Sequence, residues 1–279
     1  MDKIKIELDK SINSLWKKFK KQKKEWCKLS KNLNIENYSK IYNQQYYLLK
    51  YFPAYFTEYF HIWKDFFEIY NKTSINIISI GCGIGIDFSA FKKFLDMKKL
   101  KKIKYQYLGV DIIDWKHKPK SMNFEQKSIK SLKKNDFKNI DLIIFPKILT
   151  ELKDEELKKL AKTISNAKTS NELYFINSYI TSDAHDKTKT DGINQFKIIC
   201  KELKKKGYLL VKNKCNRYKY FEKQQGLRSD YNFFVYPNKI KDKLSSLKCN
   251  CGKCNISIFP MLENKYIAYN ILKFVKNDN

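Results

Sequence analysis

The stretch that most constrains this chain is Ile75-Asn76-Ile77-Ile78-Ser79-Ile80-Gly81-Cys82-Gly83-Ile84-Gly85-Ile86-Asp87-Phe88. An apolar run suited to a buried strand enters a turn with glycine at alternate positions, and a helical pattern follows. Three of the chain's eight glycines fall within these five turn residues. Glycine allows a sharp backbone turn and lets a ligand approach without Cβ interference, and the following helix offers unbonded N–H groups. A strand, a glycine turn and a helix in that order imply an α/β domain whose ligand site lies at the strand's C-terminal end.

The rest of the chain agrees with this. Apolar runs at Tyr105–Val110, Asp141–Phe145, Glu172–Ile176 and Tyr208–Val211 alternate with helix candidates at Asp87–Lys99, Asp154–Ala167 and Ile193–Lys205, and Gly207 serves as a helix stop. The pattern predicts an α/β fold, a doubly wound and mostly parallel sheet. It adds an α-helical N-terminal extension and a small cysteine-containing C-terminal segment. Residues 1–70 read as helical: Leu8, Ile12, Leu15, Trp16 and Phe19 recur at helical spacing, a second helix runs from Asn37 towards Lys50, and Pro53 opens a third through Phe66 and Tyr70. The expected regions are a helical part over 1–70, the core over 71–215, a cysteine-containing insertion over 216–265, and a final core strand with its tail over 266–279. Strand-like runs mark Ile256–Phe259 and Tyr266–Phe274.

Two nucleotide folds fail the glycine loop. Ile86 stands where a dinucleotide fingerprint wants glycine, and a P-loop is excluded because no Gly-Lys-Ser/Thr is present. The loop and its strand resemble the S-adenosylmethionine-dependent methyltransferases with a Rossmann-like fold (class I), whose first motif is a strand followed by Gly-x-Gly-x-Gly. Ser79 departs from the acidic residue that the family often carries there. The resemblance spans roughly 74–215 and the final strand. It implies that Gly81, Cys82, Gly83 and Gly85 line S-adenosylmethionine. It also implies that Asp111, ending Tyr107-Leu108-Gly109-Val110-Asp111, accepts from the ribose hydroxyls; Asp114 is the alternative for that task. Ile112 would pack on the adenine, Ser128 would lie near its amino group, and Phe145 would border the cofactor at the end of the fourth strand.

Methyl transfer is an in-line displacement at a sulfonium that already activates its methyl, so such a site works with few catalytic side chains. Lys147 and Glu151 are the candidates for acceptor contact, and His185, in Thr181-Ser182-Asp183-Ala184-His185-Asp186, for a general base. Phe145-Pro146-Lys147 lacks the Asn/Asp-Pro-Pro-aromatic tetrad of adenine amino methyltransferases and the Pro-Cys of cytosine-C5 enzymes. Cys249, Cys251 and Cys254 lie within six residues. With Cys215 as a fourth ligand they would hold zinc, an iron–sulfur cluster is the alternative, and plain reduced thiols remain open. Lysine and arginine number 57 against 29 acids, a formal charge of +28, yet only Arg217 and Arg228 are arginines. Lysine gives phosphate attraction more than base reading, so an RNA substrate held by Lys17–Lys24 is one expectation. A small metabolite acceptor is the alternative, and a non-catalytic RNA- or partner-binding relative the third. No apolar run reaches membrane-spanning length, and Met1-Asp2-Lys3-Ile4-Lys5 lacks a secretory signal's apolar stretch, which gives a cytoplasmic expectation.

Overall fold

The computed structural model describes residues 35–100, 102–180, 192–217, 219–220 and 267–277, together with 10, 11, 13–15 and 17. The elements in chain order are α1 (Ile41–Phe67), β1 (Ser74–Ile80), α2 (Ile86–Met97), β2 (Lys104–Asp111), β3 (Asn123–Gln126) and β4 (Leu142–Pro146). They continue with α3 (Asp154–Ser165), β5 (Glu172–Ile180), α4 (Gly192–Lys205), β6 (Tyr208–Val211), β7 (Lys219–Tyr220) and β8 (Ile267–Lys276). One sheet has the order β3-β2-β1-β4-β5-β8-β6, with β7 paired to β8. β1 runs parallel to both β2 and β4, and β4 to β5; β8 is antiparallel to β5 and β6. The chain moves outward from β1 in one direction through β2 and β3, then crosses to β4 on the other side. This reversal leaves a crevice at the C-terminal end of β1, where ligands bind in doubly wound sheets.

Alternation along the strands fills a core on each face. Ile75, Ile77, Leu142, Ile144, Tyr174 and Ile176 pack with α1 and α2; Ile78, Ile80, Ile143, Phe145, Leu173 and Phe175 pack with α3 and α4. Helix α3 is a plain case of sequence making structure. Leu157, Leu160, Ala161 and Ile164 bury one stripe, and Asp154, Glu155 and Glu156 sit in the first turn against the positive end of the helix dipole. Glu156 also accepts from the Lys153 amide at 3.1 Å.

Two expectations need correction or placement, and one strand was not expected. The two helices expected on either side of Pro53 are one helix of 27 residues with Pro53 inside it. A proline there costs about 3 kcal/mol, and the helix bears it because Leu48, Leu49, Phe52, Ala54, Tyr55, Phe56, Tyr59, Phe60 and Trp63 are all buried around it. Strand β3 escaped notice because Asn123, Glu125 and Gln126 are exposed at the sheet edge, which leaves no apolar run to read. The final strand is present as β8, whereas Ile256–Phe259 lies outside the described residues. No helix among the described residues is long and apolar enough to cross a membrane.

Candidate functional site

The backbone of β1 turns at once into the glycine loop. The Gly81 and Cys82 amides donate to the Val110 carbonyl at 2.8 and 3.1 Å, which fastens the turn to β2, and Gly85 closes it on the Cys82 carbonyl at 3.0 Å. Gly81, Gly83 and Gly85 have φ of 70°, 55° and 76°. The space around them differs. A Cβ on Gly81 would meet Ile148 Cγ1 at 2.7 Å and one on Gly85 would meet Met122 Sδ at 2.5 Å, so these two are glycines for packing as well as for φ. A Cβ on Gly83 would have Trp115 Cζ2 at 4.0 Å as its nearest neighbour. Gly83 therefore presents open backbone to the crevice.

Asp111, at the end of β2, points back at this loop. Its Oδ2 accepts from the Gly83 amide at 2.8 Å and its Oδ1 from the Ile113 amide at 2.9 Å. Burial pushes its carboxyl above the usual range, against the pull of those amides. Asp114, the alternative, is half-exposed and salt-bridged to Lys116 and Lys118 on the surface, away from the loop's bonding. Ile112 is 53% exposed beside it, an apolar surface suited to an aromatic ring. Ser128 joins the same strand end through its neighbour, since the Lys127 amide donates to the Asp111 carbonyl at 2.8 Å; its hydroxyl accepts from the Lys130 amide at 3.3 Å. Phe145 turns its side chain away from the glycine loop. Its ring is fully buried against Phe175 and Phe196 in the α3–α4 core, opposite the core that holds Cys82.

Lys147, the residue after β4, is the candidate the structure develops furthest. Its φ is +63°, and its amide donates to the carbonyls of Phe145 and Ser178, both at 3.0 Å. The side chain runs beneath α1. Its Nζ pairs with Glu58, reaches Ser178 Oγ at 3.2 Å and lies 4.2 Å from the Tyr55 ring centroid and 4.8 Å from that of Tyr59. Glu58 has no exposed side-chain surface and Lys147 little. Desolvation pushes Glu58 up and Lys147 down, each opposed by the other's charge. Tyr47, Tyr55, Tyr59, Gly81, Cys82, Gly83, Asp87, Pro146 and Lys147 border one small cavity of about 30 Å³. The crevice is thus roofed by α1.

Glu151, the companion candidate, is exposed on a short 3-10 turn and is not brought to this cavity. His185, Cys249, Cys251 and Cys254 lie outside the described residues, as do Lys18–Lys24; Lys17 is an exposed helical residue. Cys215 is buried in the α1-side core, with its carbonyl accepting from Ile271 at 3.0 Å. Among the described residues no group of three or more His, Cys, Asp or Glu side chains could hold a metal. Sequence reasoning missed Glu58, Tyr47, Tyr55, Tyr59, Ser178 and Asp87. A signal existed for Glu58, the only acid in the aromatic run Tyr51–Trp63.

No family model matches the chain, and no curated protein does. Solved structures are similar to it in fold. One, a SAM-dependent methyltransferase from Archaeoglobus fulgidus, is 18% identical, covering 77% of this chain and 92% of its own, with a TM-score of 0.44. Another is the magnesium protoporphyrin IX methyltransferase from Synechocystis PCC 6803 with bound SAM, 11% identical over 98% of this chain and 97% of its own, TM-score 0.42. A third is the Haemonchus contortus phospholethanolamine N-methyltransferase 2 in complex with phosphomonomethylethanolamine and S-adenosylhomocysteine, 13% identical over 90% of this chain and 62% of its own, TM-score 0.45. Likenesses this remote decide nothing by themselves, and both fold and function have to be argued from the chain's own strands and site. By strand order, by the glycine loop after β1 and by the antiparallel β8, the chain has the mostly parallel sheet of the class I methyltransferase fold.

Proposed function

We propose that this protein is an S-adenosylmethionine-dependent methyltransferase acting on a small molecule bound under α1. The observation that carries the reading is the pairing at one crevice of open Gly83 backbone with the Asp111 carboxylate and exposed Ile112. These residues fit the cofactor: a carboxylate suits a ribose diol, an apolar surface suits adenine, and Gly83 leaves room where any Cβ would intrude. The cavity of about 30 Å³ is far below the ~300–1,000 Å³ of a ligand site, so binding there requires the α1 side chains to withdraw from the loop.

S-adenosylmethionine brings a methyl already activated by its sulfonium. The chain's own part is to orient and to exclude water. Tyr47, Tyr55 and Tyr59 wall the far side of the crevice, and Lys147 with Glu58 forms its polar end. A neutral Lys147 amine is placed to take a proton from an acceptor, because burial moves it towards its uncharged form. An enclosed aromatic wall supports a small acceptor over a polymer. The RNA acceptor rests on the net charge of +28 and on a lysine run that is mostly outside the described residues.

Calorimetry tests the reading. The wild-type protein is expected to bind S-adenosylmethionine, and Asp111→Ala to lose ~1.5–3 kcal/mol per bond removed. Unchanged affinity in that variant would retire the ribose assignment. Screening small amines, phenols and carboxylates for S-adenosylhomocysteine release then tests the acceptor class.

A further inference from the structure

A second, larger hollow adjoins the crevice. Its volume of about 400 Å³ falls within the ~300–1,000 Å³ of a small-molecule site. Leu48 and Phe52 of α1, Ile84 of the glycine loop and Ile86 at the start of α2 form its buried apolar wall, and Leu15 lines it as well. Ile84 and Ile86 also border the small cavity, beside Gly81, Gly83 and Lys147. The two spaces therefore share one pair of isoleucines and one roof: α1 sends Tyr47 and Tyr55 to the crevice and Leu48 and Phe52 to the hollow.

Withdrawal of α1 from the loop, which binding in the small cavity requires, joins the two spaces. The charge of the lining selects what can occupy the larger one. No Asp or Glu lines it among the described residues; its polar groups are the hydroxyls of Ser11, Ser14 and Ser89, with His117 and the exposed Lys10. A cation desolvated there would lack a countercharge, which is costly. An uncharged apolar body meets walls that match it and hydroxyls that can bond a polar substituent.

Resting on the methyltransferase reading above, we propose that this hollow holds the apolar body of the acceptor, a non-cationic aryl or alkyl alcohol whose hydroxyl reaches past Ile84 and Ile86 to Lys147. An O–C bond forms there as the donor's S–C bond breaks, and the hydroxyl proton passes to the Lys147 amine. The hollow then sets which body is accepted, and the crevice sets which atom is methylated.

Calorimetry tests this with two probes that share a body, 2-naphthol and 2-naphthylmethylammonium. On the wild-type protein 2-naphthol is expected to bind at least about tenfold tighter than the cation. Because both ligands need α1 to move, saturating S-adenosylhomocysteine should tighten 2-naphthol severalfold. Ser14→Trp fills the hollow from an exposed position. It should weaken 2-naphthol by about tenfold or more, while S-adenosylhomocysteine bound alone stays within about twofold. Ser14→Leu is the milder variant should the first fail to fold. A cation that binds as well as 2-naphthol, a Ser14 variant with unchanged 2-naphthol affinity, or an affinity indifferent to S-adenosylhomocysteine would each overturn the proposal. A wild-type protein that binds neither S-adenosylmethionine nor S-adenosylhomocysteine refutes the cofactor reading itself, which separates the two failures.

Discussion

A lysine with left-handed φ is uncommon outside turns, and at Lys147 the conformation has a visible purpose. Amide bonds to Phe145 and Ser178 set the turn, and the turn sends the ammonium under α1 to Glu58. Breaking this pair leaves an unmatched buried charge, so Lys147→Met is expected to lower unfolding free energy by about 3–5 kcal/mol. Adding Glu58→Gln should recover part of that loss, and urea titration of the single and double variants reads both. The glycines divide differently. Gly85→Ala drives a methyl to 2.5 Å from Met122 Sδ and should mainly cost stability. Gly83→Ala meets no neighbour closer than 4.0 Å, so beyond the ~1–2 kcal/mol of its left-handed φ it should mainly cost cofactor affinity; melting curves beside calorimetry will show whether the two variants separate this way. Charge behaviour follows from the same residues. Glu58, Asp87 and Asp111 all have carboxyls raised by burial, so the native state holds more protons than the unfolded chain above the ordinary carboxylate range of about 4. Stability of the ligand-free protein should therefore fall as pH rises from there through the raised values. Asp87→Asn should flatten that fall, and a pH series of melts that is unchanged by the substitution would count against a raised Asp87.

At the scale of elements, α1 is the part that sequence periodicity described least well. The strand runs were legible because parallel strands bury both faces and read as continuous apolar stretches, as in Leu142-Ile143-Ile144-Phe145. The glycine loop was legible because its backbone demands glycine. Asp111 was singled out ahead of Asp114 by its place at a strand end, and the structure adds that Asp111 accepts from the loop's Gly83 amide while Asp114 pairs with surface lysines. Pro53 misled because proline is usually a helix boundary, whereas here tertiary burial outweighs the local penalty. Thr57 Oγ1 also donates to the Pro53 carbonyl at 3.1 Å. Pro53→Ala, returning an N–H and removing the ring, is expected to stabilise the protein by roughly 1–3 kcal/mol, seen as a higher melting temperature. Glu58 and Asp87 were illegible for a different reason. Their significance lies in contacts 89 and 8 residues apart, Glu58 with Lys147 and Asp87 with Ser79, and one-dimensional patterns carry no record of such a pairing.

For the whole molecule, the charge of +28 on 279 residues means self-repulsion at low ionic strength. Raising salt from about 0.01 to 0.15 M shortens the screening length from about 30 to 8 Å, and the melting temperature should rise with it. The same titration decides the RNA question: if Lys17–Lys24 holds phosphates, neutralising four of these lysines should reduce the log–log salt slope of RNA affinity by ~0.7 per lost contact on single strands. An unchanged slope leaves the lysines as solvated surface. The roof over the crevice has a further consequence. Tyr47, Tyr55, Tyr59 and Glu58 all belong to α1, while Gly81–Gly85, Asp87 and Asp111 all come from the β1–β2 unit. On the proposed reading, donor recognition rests on the β1–β2 unit and acceptor recognition on α1 together with Lys147 after β4, so the two can vary independently. Chimeras that exchange residues 35–67 between relatives of this fold should carry acceptor choice with them and leave donor affinity behind.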